Sequence, residues 1–265
     1  MRRLLIRPGA IGDCVVALPA LEYLKSDYTE VWVPSAVVPL VRFADRVRRL
    51  PSAIDLLGLP DLEPPAAILE HLRSFDSIVS WYGANQPLFR ERVRELNLPF
   101  EFFPALPNSN AAGLHVVDYF LTAAGAAPGG APRIPVIPVE HGSLVIHPFS
   151  GSGRKNWPIQ RFHALAERLP GRVEWCAAPH EPISGAVKIE DLYELACWLA
   201  GARAFIGNDC GITHIAAAVQ TPVVAIFGPT DPAVWAPRGP KVKIVAGDLA
   251  NISVEQVADA VSALL

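Results

Sequence analysis

The sequence predicts an α/β protein of two similarly wound halves, each a parallel sheet covered by helices. Short apolar stretches alternate with helical patterns through both halves, as expected of parallel strands joined by crossover helices. Residues 126–138, AAPGGAPRIPVIP, can neither continue a helix nor join a central strand, so the boundary is placed between domains 1–130 and 131–265. Three strand-to-helix junctions carry glycine-bearing turns: RPGAIGD at 7–13, HPFSGSGRKNWP at 147–158 and GNDCG at 207–211. Such turns lie at the carboxyl edge of a parallel sheet, where ligands bind.

Taken in order, residues 3–6 form an apolar strand that runs through the first turn into a helix reaching about residue 25. Strands are expected at 30–33, 54–57, 76–81 and 99–103, with helices at 35–49, 64–73 and 85–96. A helix at 115–127 closes the first half. The second half has strands at 144–146, 173–177, 204–206, 223–227 and 242–245. Trp157-Pro158 opens a helix, since proline is tolerated in a first turn. Residues 211–219 form another, closed by Thr221-Pro222, and 254–264 the last.

With 265 residues and 51% hydrophobic content the chain can bury a large core. A formal charge of -3 gives no case for nucleic-acid binding. Cys14, Cys176, Cys197 and Cys210 show no CxxC spacing, which fits a reducing cytoplasm rather than a zinc knot or disulfide framework. The opening Met1-Arg2-Arg3 resembles the start of a signal peptide, but Arg7, Pro8, Gly9, Gly12 and Asp13 interrupt the apolar run. No stretch approaches the roughly 20 apolar residues of a membrane span, so a soluble protein is expected, with peripheral attachment left open.

The turns hold the chemistry. Asp13 stands at a helix start, where a carboxylate serves as a cap or as a functional acid. Ser150, Ser152 and the neighbouring backbone N–H groups can meet phosphate, and Lys155 adds a point charge. Gly207 and Gly211 allow close backbone approach, and the helix starting near Gly211 favours an anion. Asp209 and His214 are either cap and internal residue or ligand contacts. The spacing matches neither GxGxxG nor GxxxxGK[ST]. Arginines 42, 46, 48 and 49, with 90, 92 and 94, read as solvated helix faces or as a surface for an anionic acceptor or lipid heads. Trp81, Tyr82 and Trp235 read as packing residues.

RPGAIGD, HPFSGSGRKNWP and GNDCGITHIAA, in this order and followed by FGPTDP, together resemble glycosyltransferase family 9, the lipopolysaccharide heptosyltransferases. HVVDY at 115–119 resembles the family's segment at its domain junction. The resemblance implies a GT-B architecture: two Rossmann-like domains with parallel sheets facing an interdomain cleft, acceptor on the first and nucleotide-sugar donor on the second. It implies an inverting, metal-independent transfer of a sugar, a heptose in the family, with Asp13 as general base for the acceptor hydroxyl. Lys155, Ser150 and Ser152 match donor-phosphate contacts, Asp209 a donor-sugar contact, and Gly211 and His214 the motif facing the diphosphate. Glu181 stands where the family has an acid approaching the nucleotide.

No cofactor is implied; the donor, a nucleotide-diphosphate sugar such as ADP-heptose, is a substrate. The implied partner is an anionic lipid-linked or oligosaccharide acceptor, met in the cytoplasm or at the cytoplasmic face of the inner membrane. Between Trp175 and Leu195 the chain lacks a helix and strand usual in the family. A nucleotide-sugar epimerase on the same architecture and a non-catalytic nucleotide-sugar-binding module remain alternative readings.

Overall fold

Leu4, Leu5 and Ile6 are wholly buried at the end of β1 (Arg2–Ile6), and the first half is laid against this strand. The computed structural model describes residues 1–59, 61–107 and 113–265. After β1 come α1 (Ile11–Val15), α2 (Leu18–Tyr23), β2 (Tyr28–Val33), β3 (Arg46–Arg49), α3 (Ala66–Arg73), β4 (Ser77–Ser80), α4 (Pro87–Glu95), β5 (Phe100–Phe102) and α5 (Val116–Ala123). The strands pair in parallel in the order β3-β2-β1-β4-β5.

Three local expectations are corrected. The helix expected to reach residue 25 is two helices, because Pro19 has no N–H for the carbonyl four residues back and instead stands in the first turn of α2. Residues 35–49 are not one helix. They form a 3-10 segment, Ser35–Leu40, with Pro39 inside it, followed by β3, whose arginine-rich RVRR sequence suits an edge strand with exposed side chains. Residues 54–57 lie in a 3-10 segment, Ser52–Gly58, that buries Ile54 and Leu57, a short apolar run that reads equally as strand. The arginine clusters are partly paired: Arg48 with Glu30 at 3.3 Å, and Arg92 with Glu63 at 2.8 Å.

The second half contains β6 (Leu144–His147), α6 (Ile159–Ala166), β7 (Val173–Trp175), α7 (Leu192–Ala200), β8 (Ala204–Asn208), α8 (Gly211–Ala218), β9 (Val223–Phe227), α9 (Pro232–Trp235), β10 (Val242–Ala246) and α10 (Val254–Ser262). Its parallel strands run β10-β9-β8-β6-β7. Both halves are doubly wound, but the chain reverses direction between β1 and β4 in one and between β6 and β8 in the other. The three glycine turns follow β1, β6 and β8, so each lies at a switch point, where the crevice of an open α/β sheet forms. Residues 176–191 contain no helix or strand beyond an isolated Cys176–Val187 bridge.

The linker is tied to the second half: the Ile134 N–H donates to Ala218 O (3.1 Å), and the Val139 N–H to Cys197 O (2.9 Å). From α5, the Asp118 carboxylate accepts from the Gly129 N–H (2.7 Å) and pairs with the Arg238 guanidinium, which also donates to Gly130 O (3.0 Å). His115 donates from Nε2 to Ala236 O (2.9 Å), while its Nδ1 accepts the Val117 N–H (3.2 Å). That pairing requires the neutral ring, and burial lowers the His115 pKa accordingly. One buried apolar cluster, including Val15, Val33, Phe120, Leu195, Phe205 and Phe227, runs through both halves.

Candidate active site

A cleft of about 450 Å³ opens where the turn after β1 meets those after β6 and β8. Asp13, Ser152, Lys155, Asp209, Gly211 and His214 line it, with Cys210, Thr230 and Trp235. Asp13 faces it from the first half and the others from the second. A larger cavity, about 720 Å³, lies near the C-terminal end of α8, between Leu18, Arg42, Arg133 and Gln220; it contains none of the sequence-predicted site residues.

Asp13 is placed by three features. Gly9 turns the chain at φ +116°, a left-handed conformation open to glycine. The Ala10 N–H donates to Asp13 Oδ2 (3.0 Å), so the capping reading holds for that oxygen; among the described residues Oδ1 has no hydrogen bond. Arg7, 1% exposed, donates to the Asp13 carbonyl from Nε (3.2 Å) and Nη2 (2.9 Å) and to Ala105 O from Nη1 (3.0 Å). Its guanidinium stands 4.6 Å from the Phe120 ring centre. Burial lowers the Arg7 pKa, against the opposing pull of Cys14 and Asp13. This buried cation behind the acid escaped the sequence reading, because Arg7 looked like a break in an apolar run.

In the second half, Asn208 holds two turns together: its Oδ1 accepts the Trp157 N–H (2.9 Å), and its Nδ2 donates to Pro148 O (2.7 Å). Trp157 is buried and donates from its indole to Ile252 O (3.0 Å). Between these anchors a 3-10 turn, Gly153–Lys155, delivers Lys155 Nζ to Asp209 Oδ2 at 2.6 Å, where the Thr230 hydroxyl also donates at 2.6 Å. Asp209 is 6% exposed, so its charge requires these partners. Thr230, in the FGPTDP segment, was absent from the sequence-predicted set.

Ser150 and Glu181 are not among the cleft-lining residues. The Ser150 hydroxyl lies 2.7 Å from both the Ser152 carbonyl and the Asn156 side-chain oxygen and accepts the Ser152 N–H at 3.3 Å; it shapes the loop. Glu181 accepts the Ala178 N–H (2.6 Å) and stands 3.7 Å from His147. Of the aromatic residues, Trp81 is buried packing, whereas Trp235 lines the cleft.

Gly211 has a different neighbour from the one its sequence suggested. A methyl group there would lie 2.8 Å from Ile11 Cβ and 3.0 Å from Gly12 N, so glycine lets α1 and α8 touch across the two halves. Gly211→Ala is expected to cost about 1–3 kcal/mol through overpacking and to lower Tm by several degrees. Thermal melts check this, and an unchanged Tm would remove the contact from the interface.

His214 is buried at the inner end of the cleft. Burial pushes its pKa from 6.5 down to about 4, while Asp209 pulls the other way. The unfolded chain therefore binds a proton through this window that the folded chain refuses. The stability held by the neutral ring is complete above pH 6.5 and is lost as pH falls towards 4, by about 3 kcal/mol at the limit. His147, whose pKa is raised, acts in the opposite sense. Melts of wild type and His214→Gln between pH 7 and 4 are expected to show a shallower decline in the variant; parallel curves would contradict this assignment.

Two doubly wound domains facing one cleft form a GT-B architecture. Residues 186–260 match Glycosyltransferase family 9 (heptosyltransferase). Lipopolysaccharide heptosyltransferase 1 of Pseudomonas aeruginosa is 32% identical, the match covering 88% of this chain and 80% of that protein. Among solved structures, E. coli ADP-heptose lps heptosyltransferase II superposes with a TM-score of 0.74 at 18% identity, covering 100% of this chain and 98% of that one. E. coli heptosyltransferase WaaC with ADP gives a TM-score of 0.72 at 18% identity, covering 100% of both chains. The chain belongs to glycosyltransferase family 9 and is a glycosyltransferase.

Proposed function

We propose that the protein transfers a heptose, with inversion and without a metal, from a nucleoside-diphosphate heptose such as ADP-heptose to a lipopolysaccharide-type acceptor. In this reading residues 1–130 hold the acceptor and residues 131–265 the donor. The observation that carries it is the opposition of Asp13 to Lys155, Asp209 and the start of α8 across one cleft. Inverting transfer needs a base on the attacking hydroxyl and a charged environment for the leaving diphosphate on the opposite face. Asp13, through Oδ1, takes the proton. Lys155, the Ser152 loop and the first-turn N–H groups of α8 receive the diphosphate. Asp209, tied to Lys155 and Thr230, is the donor-sugar contact, and His214, held neutral, closes the inner wall.

An anionic acceptor is supported by Arg90 and Arg94, which with Glu91 and Asn85 line an open groove along α4. Among the described residues no helix is long and apolar enough to cross a membrane, so contact with the inner-membrane surface would be peripheral.

The test is turnover of ADP-heptose with a lipopolysaccharide-core acceptor, in the presence of a chelator. Release of free ADP is expected only when acceptor is present. Sugar isomerisation without acceptor would favour an epimerase, and nucleotide binding without turnover over a broad acceptor panel would favour a binding module.

A further inference from the structure

We propose that Cys210, a residue of the cleft wall, is a covalent modification site whose thiol reacts with hydroperoxides and is activated by His147 with Glu181 behind it. Cys210 immediately precedes α8, lines the cleft beside Asp209 and is only partly buried. Its Sγ lies 3.8 Å from His147 Nδ1 and 3.3 Å from the Thr213 hydroxyl. His147 comes from the end of β6, is 4% exposed, and presents its other nitrogen, Nε2, to Glu181 Oε2 at 3.7 Å. Three strand ends and loops thus bring a thiol, an imidazole and a carboxylate into line. Glycosyl transfer as derived above uses none of the three side chains.

The surroundings favour the charge-separated form. A thiol at a helix start beside an imidazole is the arrangement that yields a thiolate at neutral pH. Burial opposes the Cys210 thiolate, but the charge and hydrogen bond of His147, together with hydrogen bonds from Thr213, overcome it and hold the thiol below its ordinary range. Burial likewise opposes the His147 imidazolium, and Cys210 and Glu181 outweigh it. The other groups facing the pair are Thr213 and Cys176. Cys176 is itself pushed up to about 12 by burial and stays a thiol.

The step is a two-electron oxidation. The Cys210 thiolate attacks one peroxide oxygen, forming an S–O bond as the O–O bond breaks. The departing oxygen takes both electrons of that bond and a proton from the His147 imidazolium. With hydrogen peroxide the products are a sulfenic acid and water. Sulfur is oxidised and the peroxide reduced, with no other reactant.

The protein contains its own controls. Cys14 and Cys176 are buried, with thiols pushed up to about 12, and Cys197 is half-buried. The whole chain is treated with hydrogen peroxide and dimedone, and separately with iodoacetamide at pH 5 to 9, and adducts on each cysteine peptide are quantified by mass spectrometry. Dimedone is expected on Cys210 before any other cysteine. Its iodoacetamide rate should exceed that of Cys197 at least tenfold at pH 7, with a pH profile displaced to the acid side of an ordinary thiol's. His147→Gln is expected to slow Cys210 alkylation at pH 7 about tenfold or more and to shift its profile upward, and Glu181→Gln to do so more weakly. A wild-type rate for Cys210 at or below that of Cys197 at pH 7 would overturn the proposal, whether or not the variants fold. So would a folded His147→Gln variant that reacts like wild type.

Discussion

Asp13→Asn is expected to lower kcat by about 10²- to 10⁴-fold, the range for loss of a positioned general base, while nucleotide affinity stays within about twofold. The substitution separates the two jobs of the side chain. Asparagine keeps a carbonyl oxygen to accept the Ala10 N–H, so the cap now made by Oδ2 survives, and Arg7 still holds the Asp13 backbone carbonyl. Only the proton acceptor is removed. Steady-state kinetics with ADP-heptose, together with calorimetric binding of ADP, distinguish the outcomes. A variant with wild-type kcat would show that Asp13 is a cap alone. A variant losing ADP affinity and Tm together would place Asp13 in the architecture of the cleft rather than in proton transfer.

Lys155→Met is expected to weaken ADP binding by about 10- to 100-fold, the equivalent of one charge-assisted contact of about 1.5–3 kcal/mol. Methionine keeps much of the apolar stem and removes the ammonium that now lies 2.6 Å from Asp209. The loss has two sources: the diphosphate loses its cation, and Asp209, buried and left with Thr230 alone, turns an uncompensated negative charge towards it. Lys155→Met combined with Asp209→Asn should therefore bind ADP more tightly than Lys155→Met alone, a non-additivity that a double-mutant cycle measures. Unchanged ADP affinity in the single variant would move the diphosphate away from this turn.

The strands and turns were legible because both depend on local signals. Leu4 to Ile6, Leu144 to Ile146 and Val223 to Phe227 are apolar runs bounded by turn residues, and all lie in strands with a neighbour on each side. Trp157-Pro158 marked the start of α6 because proline suits only that part of a helix. Residues 46–49 were hidden because an edge strand can carry arginines, and 54–57 because three apolar residues around Asp55 carry no usable period. Asp13, Lys155 and Asp209 stood out as polar residues in glycine turns. Arg238 could not be matched to Asp118, nor Gly211 to Ile11, since each contact depends on how the two halves dock. Thr230 was hidden for a reason within one half: it meets Asp209 because the turns after β8 and β9 lie side by side.

The unlike strand orders of the halves leave the second sheet one strand narrower on one side. Two strands are laid on one side of β1 before the chain reverses, and only one on the corresponding side of β6, because residues 176–191 contain no strand beyond an isolated bridge. β7 is therefore an edge, and the Val187 N–H donates to Trp175 O (2.8 Å) while the Ala177 N–H donates to Val187 O (3.2 Å). A single residue thus blunts an open margin that would otherwise offer its backbone groups to another chain.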